Sequence, residues 1–296
     1  MKHYSAAQTR DALPFPALVD ALALTAQAYA EGSIVCPERS VVPAPGGSTL
    51  LMTMPSVSQH LLVTKLLTIC PDNAGTERPT IQGQVTCANA HTGELLFSLD
   101  GPTVTMRRTS AISLLGVRLL ARGPVRRALM IGTGTQARAH CEAFAALYPD
   151  ATLVVRARTS ERAAIFCQQQ ADLPLHIRPE HPDEDHFDVV LTVTSSREVL
   201  YDGPPDPDCL VVGVGAFQPD MIEVGPQIVR NSTLYVDDPI GAPSEAGDLI
   251  QAGVNWADVR ALASALHTPP PKDRPIFFKS VGCAAWDLAA CRVLVP

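Results

Sequence analysis

Apolar residues recur at helical spacing over 17–31 (ALVDALALTAQAYAE) and stop at Gly32, a residue suited to the left-handed backbone beyond a helix end. From Thr49 to Leu99 the pattern breaks into short runs, TLLMTM, HLLVTKLLTI, TIQGQVTCAN and ELLFSLD, each bounded by Gly, Pro, Asn or Asp. These predict an antiparallel sheet, with His91-Thr92-Gly93 as a hairpin turn. Helical spacing returns over 109–121, placing Ile112, Leu115, Leu119 and Leu120 on one side, and Gly123-Pro124 ends it. Strand and helix then alternate: ALMI, a glycine turn, a helix over 136–147, TLVV, a helix over 161–171, then DVVLTVT and CLVVGVG. Near-continuous apolar strands separated by helices predict a parallel sheet covered on both faces. The stretch HTPPPKDRP reads as a linker, and FFKSVGCAAWDLAACRVL as one further helix.

Composition narrows the class. A chain of 296 residues, 46% hydrophobic and 18% charged, can bury a sizeable core and form two domains. Its net charge of −7 and lack of a basic run argue against nucleic acid or a polybasic membrane contact. The most apolar candidate for a span, residues 13–30, is broken by Pro14, Pro16 and Asp20, so neither a signal peptide nor a transmembrane helix is expected. Eight cysteines with no C-x-x-C pair suggest reduced thiols and a cytoplasmic protein. Only four of the 23 basic residues are lysines, which draws attention to Lys65 inside HLLVTKLLTI. As a strand, that run points Lys65 the same way as Leu61, Val63, Leu67 and Ile69, and an edge-strand gatekeeper is the alternative to a ligand.

Gly132-Thr133-Gly134-Thr135-Gln136-Ala137 fits G-x-G-x-x-A between an expected strand and an expected helix. The first glycine makes the tight turn, the second admits a pyrophosphate, and the small Ala137 lets the helix pack closely, with the phosphates at its N-terminus. A Rossmann-type dinucleotide site follows. At the end of the next strand, Val155-Arg156-Ala157-Arg158-Thr159 offers no acid for the ribose hydroxyls but two arginines. A guanidinium there favours a 2′-phosphate, so NADPH is preferred, with NADH left open. Residues 192–196 and 212–216 close two further strands and should border the nicotinamide.

Taken together the residues resemble the ornithine cyclodeaminase and mu-crystallin family. The match rests on Lys65 with Pro71-Asp72-Asn73, Thr92-Gly93 with Asp100-Gly101, Arg107-Arg108-Thr109-Ser110-Ala111, IGTGTQARAH, Asp237-Asp238 with Glu245-Ala246-Gly247-Asp248, and Phe278-Lys279-Ser280-Val281-Gly282. The resemblance implies a homodimer. It also implies an α/β architecture in which a Rossmann-type doubly wound parallel sheet is inserted into an α+β substrate and dimerisation domain built from both chain ends. The boundaries expected are 1–115, 116–268 and 269–296. It further implies that Arg39, Lys65 and Arg108 surround a substrate carboxylate, a chemistry that three cations would support in any fold. Arg108, Thr109 and Ser280 join Gly132, Gly134, Thr135, Gln136, Ala137, Arg158, Thr159, Thr194, Ser196 and Val214 as cofactor-binding positions.

One departure narrows the chemistry. Cyclodeaminating and alanine-oxidising members of that family carry an aspartate where this chain has Phe217, in Gly215-Ala216-Phe217-Gln218-Pro219. Phenylalanine exchanges no proton, so ornithine cyclodeamination is disfavoured and ketimine reduction is the expectation. In that reaction a reduced nicotinamide delivers hydride to C2 of a cyclic imino acid, Δ1-pyrroline-2-carboxylate or Δ1-piperideine-2-carboxylate, with Lys65 or an associated water as proton source. An amino-acid dehydrogenase, an N-alkyl amino-acid synthase and a non-catalytic NADPH-binding protein are the alternatives. His181-Pro-Asp-Glu-Asp-His186 lacks companion ligands, so it reads as a solvated acidic loop and no metal is expected. His140 reads as a packing residue.

Overall fold

The computed structural model describes residues 1–295. The chain divides into two compact units, Met1–Arg108 joined by the chain from Cys283 on, and Thr109–Gly282. The divisions therefore fall at 108/109 and 282/283, against the expected 115/116 and 268/269.

The first unit is a six-stranded sheet of β1 (Lys2–His3), β2 (Ser40–Pro43), β3 (Leu50–Val57), β4 (Leu61–Ile69), β5 (Ile81–Asn89) and β6 (Leu95–Asp100), in the order β1-β6-β5-β4-β3-β2. β2 to β6 pair antiparallel and only β1 is parallel to its neighbour. The β5–β6 turn forms where expected, because the Asn89 side chain accepts the amides of His91 and Thr92 and Gly93 takes a positive φ of 74°. Strict alternation along β4 buries Leu61, Val63, Lys65 and Leu67 and exposes Leu62, Thr64 and Leu66. Against the buried face lies the C-terminal helix Ala284–Leu294, and helix Phe15–Ala30 packs on it in turn. The C-terminal helix is covered on both sides, so every residue from Ala284 to Cys291 is buried, four of them alanines that permit the close approach. Trp286 meets Tyr29 edge to face at 6.1 Å.

The second unit holds β7 (Arg127–Ile131), β8 (Thr152–Arg156), β9 (His176–Pro179), β10 (Val189–Thr192), β11 (Arg197–Tyr201), β12 (Leu210–Gly213), β13 (Ile222–Val224), β14 (Thr233–Val236), β15 (Arg260–Ala261) and β16 (Ile276–Lys279). Eight of these form an all-parallel sheet in the order β15-β14-β16-β12-β10-β7-β8-β9, while β11 and β13 pair separately. Strand order reverses between β7 and β10, the switch point where open parallel sheets bind ligands. This is the Rossmann-like arrangement the pattern implied.

Two expectations are corrected. The segment FFKSVGCAAWDLAACRVL is not one helix: Ile276–Lys279 is a strand in the middle of the parallel sheet, and the helix starts at Ala284. Aromatic and β-branched residues favour the strand, and Gly282 at a φ of 76° breaks the chain before the helix. The helix expected over 109–121 begins at Gly101 and runs to Leu120, because the Asp100 carboxylate accepts the Thr103 amide at 2.9 Å and Pro102 suits the first turn. Within the second unit, a Cβ on Gly116 of this helix would lie 2.4 Å from the Phe278 ring, so glycine sets how closely the helix meets the sheet.

Candidate active site

In the first unit, the alternation of β4 carries the Lys65 side chain into the core, where it is 1% exposed. Its Nζ lies 2.9 Å from Asp287 Oδ2 and 3.2 Å from Oδ1, on the first turn of the C-terminal helix. Arg108 Nε, also buried, stands 3.5 Å from Asp287 Oδ1. Burial lowers the Lys65 pKa to about 8. Asp287 opposes the shift, and the positive charges of Arg108 and Arg39 add to it. Lys65 and Arg108 share the one carboxylate of Asp287, and the positive charge of Arg39 also reaches Lys65. Such a cluster suits a small anion carrying a further group that accepts a proton. The neighbouring Arg107 does other work: it donates to the Leu13 carbonyl at 2.8 Å and lies over the Phe15 ring.

Asp287 was not among the candidates from sequence, although a lone acid in AAWDLAA is a signal that could have found it. In a helix buried all round, an acid must have a partner.

In the second unit the candidate cofactor residues other than Thr109, which lies in helix Gly101–Leu120, fall beyond the carboxyl ends of five parallel strands, on loops or on the first turn of helix Thr135–Leu147. After β7, Gly132 takes a φ of 130°, and a Cβ there would press on Thr194 Cγ2 and the Val193 carbonyl at 3.0 and 3.1 Å. Gly134 precedes helix Thr135–Leu147, whose first turn carries no side-chain cap and no acid, and nothing stands within 4 Å of the space a Gly134 Cβ would take. Ala137 is fully buried, as close helix packing requires. Gln136 Oε1 is buried without a hydrogen-bond partner. A donor-rich, open helix end fits the pyrophosphate of a dinucleotide. His140 is buried, donates from Nδ1 to the Gln136 carbonyl at 2.7 Å, and is held neutral by a pKa that burial lowers to about 4.

After β8 the two arginines separate in role. Arg156 is engaged by both oxygens of Glu180, whereas Arg158 is exposed, with no ion pair or hydrogen bond among the described residues. Thr159 caps the following helix through the Arg162 amide. After β10, Thr194 Oγ1 accepts the Ser196 amide, and the Ser196 hydroxyl donates to the Glu198 carbonyl at 2.7 Å. Val214 follows β12 and its amide bonds the Thr192 carbonyl. After β16, the Ser280 hydroxyl donates to Asp237 Oδ2 at 2.8 Å, and the same carboxylate accepts the amides of Val281 and Gly282. Thr109 is buried, with its carbonyl accepting the Ser113 hydroxyl. Phe217, in the turn after β12, is 40% exposed.

A second buried carboxylate, Glu223, also went unnoticed in the sequence. It lies on β13 and accepts donors from the last residue of β10 and from the loops after β10 and β12. Asp237 and Asp248 entered the sequence argument only through the resemblance, with no role attached. Asp248 accepts the Glu223 and Val224 amides and pairs with Lys279 at 2.8 Å, both side chains fully buried. In the 181–186 loop, Glu184 is claimed by Arg178, which holds its carboxyl down to about 2.

A sequence model of the ornithine cyclodeaminase/mu-crystallin family matches residues 5–295. Over 291 residues the chain is 49% identical to "Delta(1)-pyrroline-2-carboxylate reductase 1" of Burkholderia multivorans, covering 98% of this chain and 93% of the relative. A "Delta(1)-pyrroline-2-carboxylate/Delta(1)-piperideine-2-carboxylate reductase" of Azospirillum brasilense is 47% identical over 291 residues, with the same coverage. Among solved structures, Thermococcus litoralis Δ1-pyrroline-2-carboxylate reductase in complex with NADH and L-proline superposes with a TM-score of 0.87 at 21% identity. That match covers 99% of this chain and 96% of that one.

Proposed function

Because the chain belongs to the ornithine cyclodeaminase/mu-crystallin family, we propose that it reduces cyclic 2-imino acids with a reduced nicotinamide cofactor. Δ1-Pyrroline-2-carboxylate would give proline, and Δ1-piperideine-2-carboxylate would give pipecolate. The observation that carries this reading is the buried Lys65–Asp287–Arg108 cluster with Arg39 close enough to act on it. Arg39 and Arg108 orient the substrate carboxylate by charge and fork geometry. Lys65, buried and with its proton affinity reduced, holds a proton that it can give to the imine nitrogen. Asp287 keeps that proton on Lys65 and fixes the side chain. The cofactor supplies the hydride to C2, and a protonated imine already accepts hydride well, so orientation and charge placement account for most of the acceleration.

The glycine turn after β7 and the loops after β8, β10, β12 and β16 would hold the dinucleotide. Arg158, free of any partner and with no acid at Ala157, supports NADPH over NADH. The outward face of the first unit's sheet carries Leu51, Val57, Leu62 and Leu66 at 37–40% exposure. A second copy of this chain covering that face would give the homodimer. All eight cysteines are free thiols, which supports a cytoplasmic setting. No helix among the described residues is long and apolar enough to cross a membrane.

The test is NADPH oxidation with five- and six-membered cyclic imines and with open-chain 2-oxo acids plus amine. Consumption with the cyclic imines, lost in Lys65→Met while NADPH still binds, is expected. Near-normal turnover in Lys65→Met would remove the role of Lys65. Tight NADPH binding with no oxidation of any substrate would leave a binding protein.

A further inference from the structure

The buried carboxylate of Glu223 is not needed by the chemistry above, yet few groups in the molecule are held by so many donors. Oε2 accepts the Thr192 hydroxyl at 3.0 Å, the Gly215 amide at 2.7 Å and the Ala216 amide at 3.1 Å, and Oε1 accepts the Thr194 amide at 2.6 Å. Burial raises the Glu223 pKa, and the positive charge of Lys279 and the donated bonds oppose that rise; three of the partners are amides that can only donate, a geometry that favours the ionised carboxylate over the acid. Thr192 ends β10, and the other three donors come from two different loops, those after β10 and β12. No slack remains between the loops: a Cβ on Gly215 would lie 1.7 Å from the Thr194 carbonyl and 2.7 Å from Glu223 Oε1. Glu223 is itself fixed from behind. Its amide and that of Val224 donate to Asp248 Oδ1 at 2.7 and 2.9 Å, and Asp248 Oδ2 is paired with Lys279 of β16.

We propose that Glu223 is a positioning residue for the nicotinamide half of the cofactor, its charge locking the loops after β10 and β12 into one shape. The proposal rests on the dinucleotide reading given above. β10 and β12 lie on one side of the switch point, while β8 with Arg158 lies on the other. Disturbing Glu223 should therefore loosen the nicotinamide half and leave the adenosine half untouched. In Glu223→Gln the amide nitrogen must oppose at least one N–H that now finds an oxygen, because one carboxylate oxygen faces three donors and the other faces one.

The experiment titrates the full-length protein with NADPH and, separately, with 2′-phospho-ADP-ribose, which lacks the nicotinamide, and records the emission of bound NADPH. Glu223→Gln should weaken NADPH by about tenfold or more. Its affinity for 2′-phospho-ADP-ribose should stay within about twofold, and the bound emission should move towards that of free NADPH. A residue that only stabilises the fold would lower both affinities together or neither. Equal losses, or wild-type NADPH affinity and emission, would overturn the proposal. If Glu223→Gln does not fold, Thr192→Val removes one of the four bonds and keeps the carboxylate. It should show the same selective loss at about threefold, and an unchanged NADPH affinity there would overturn the proposal equally. Wild-type protein that binds neither nucleotide would remove the dinucleotide reading and this inference with it.

Discussion

At the scale of single residues, function depends on charges placed where water cannot screen them. Lys65 is protonated below a pH of about 8, so a reaction that takes its proton should lose kcat/KM above that value. Asp287 raises the Lys65 pKa, and Asp287→Asn removes that attraction while Arg108 and Arg39 still repel the proton. The proton then leaves at lower pH, and the alkaline limb of the kcat/KM profile should move down, which a pH–rate comparison of the two proteins measures. An unmoved limb would separate Lys65 from proton transfer. Arg158 makes a second prediction. Charge-assisted bonds to a phosphate contribute about 1.5–3 kcal/mol, so Arg158→Ala should raise the KM for NADPH roughly ten- to hundredfold and leave the KM for NADH almost unchanged. The bidentate Arg156–Glu180 pair already occupies the other candidate, so Arg156 does not substitute.

At the scale of elements, two contacts decide how helices meet sheets. The C-terminal helix is sandwiched between the sheet and helix Phe15–Ala30, and Trp286 is its largest buried side chain. Trp286→Ala should cost about 3–5 kcal/mol, read as a drop in the denaturant midpoint. Asp287 rides on the same helix, so the same variant should also reduce turnover. Local pattern foretold β3 to β8, β10 and β12, because alternation and apolar runs are properties of a few consecutive residues. It did not foretell β16. Ile276–Lys279 is a strand because Phe278 and its neighbours fit between β12 and β14, and because Asp248 accepts the lysine that would otherwise be intolerable there.

At the scale of the whole molecule, the exposed apolar residues on the outer face of the first unit's sheet call for a cover. Leu62 and Leu66 point outward from β4, opposite in sense to Lys65, so charge can be placed on that face without entering the cluster. The proposed homodimer predicts that Leu62→Glu with Leu66→Glu shifts the protein from dimer to monomer in light scattering, while the isolated chain keeps its secondary structure. A variant that stays dimeric would place the interface elsewhere. The two-unit organisation itself depends on the chain leaving the first unit at helix Gly101–Leu120 and returning at Cys283.

By itself the sequence determined what is local: the glycine turn after β7, the inward side of Lys65, the missing acid at Ala157, and the Rossmann-like alternation. Each of these is written within a handful of consecutive residues, and strand or helix periodicity is enough to read it. Only the tertiary structure decided the partners of the buried charges. Asp287 meets Lys65 across 222 positions, Glu223 gathers donors from two loops, and Asp248 finds Lys279 on a strand read from sequence as part of a helix. A buried charge must be compensated, but nothing in its immediate neighbours along the chain says by which residue, since that choice is made when distant segments pack and exclude water together.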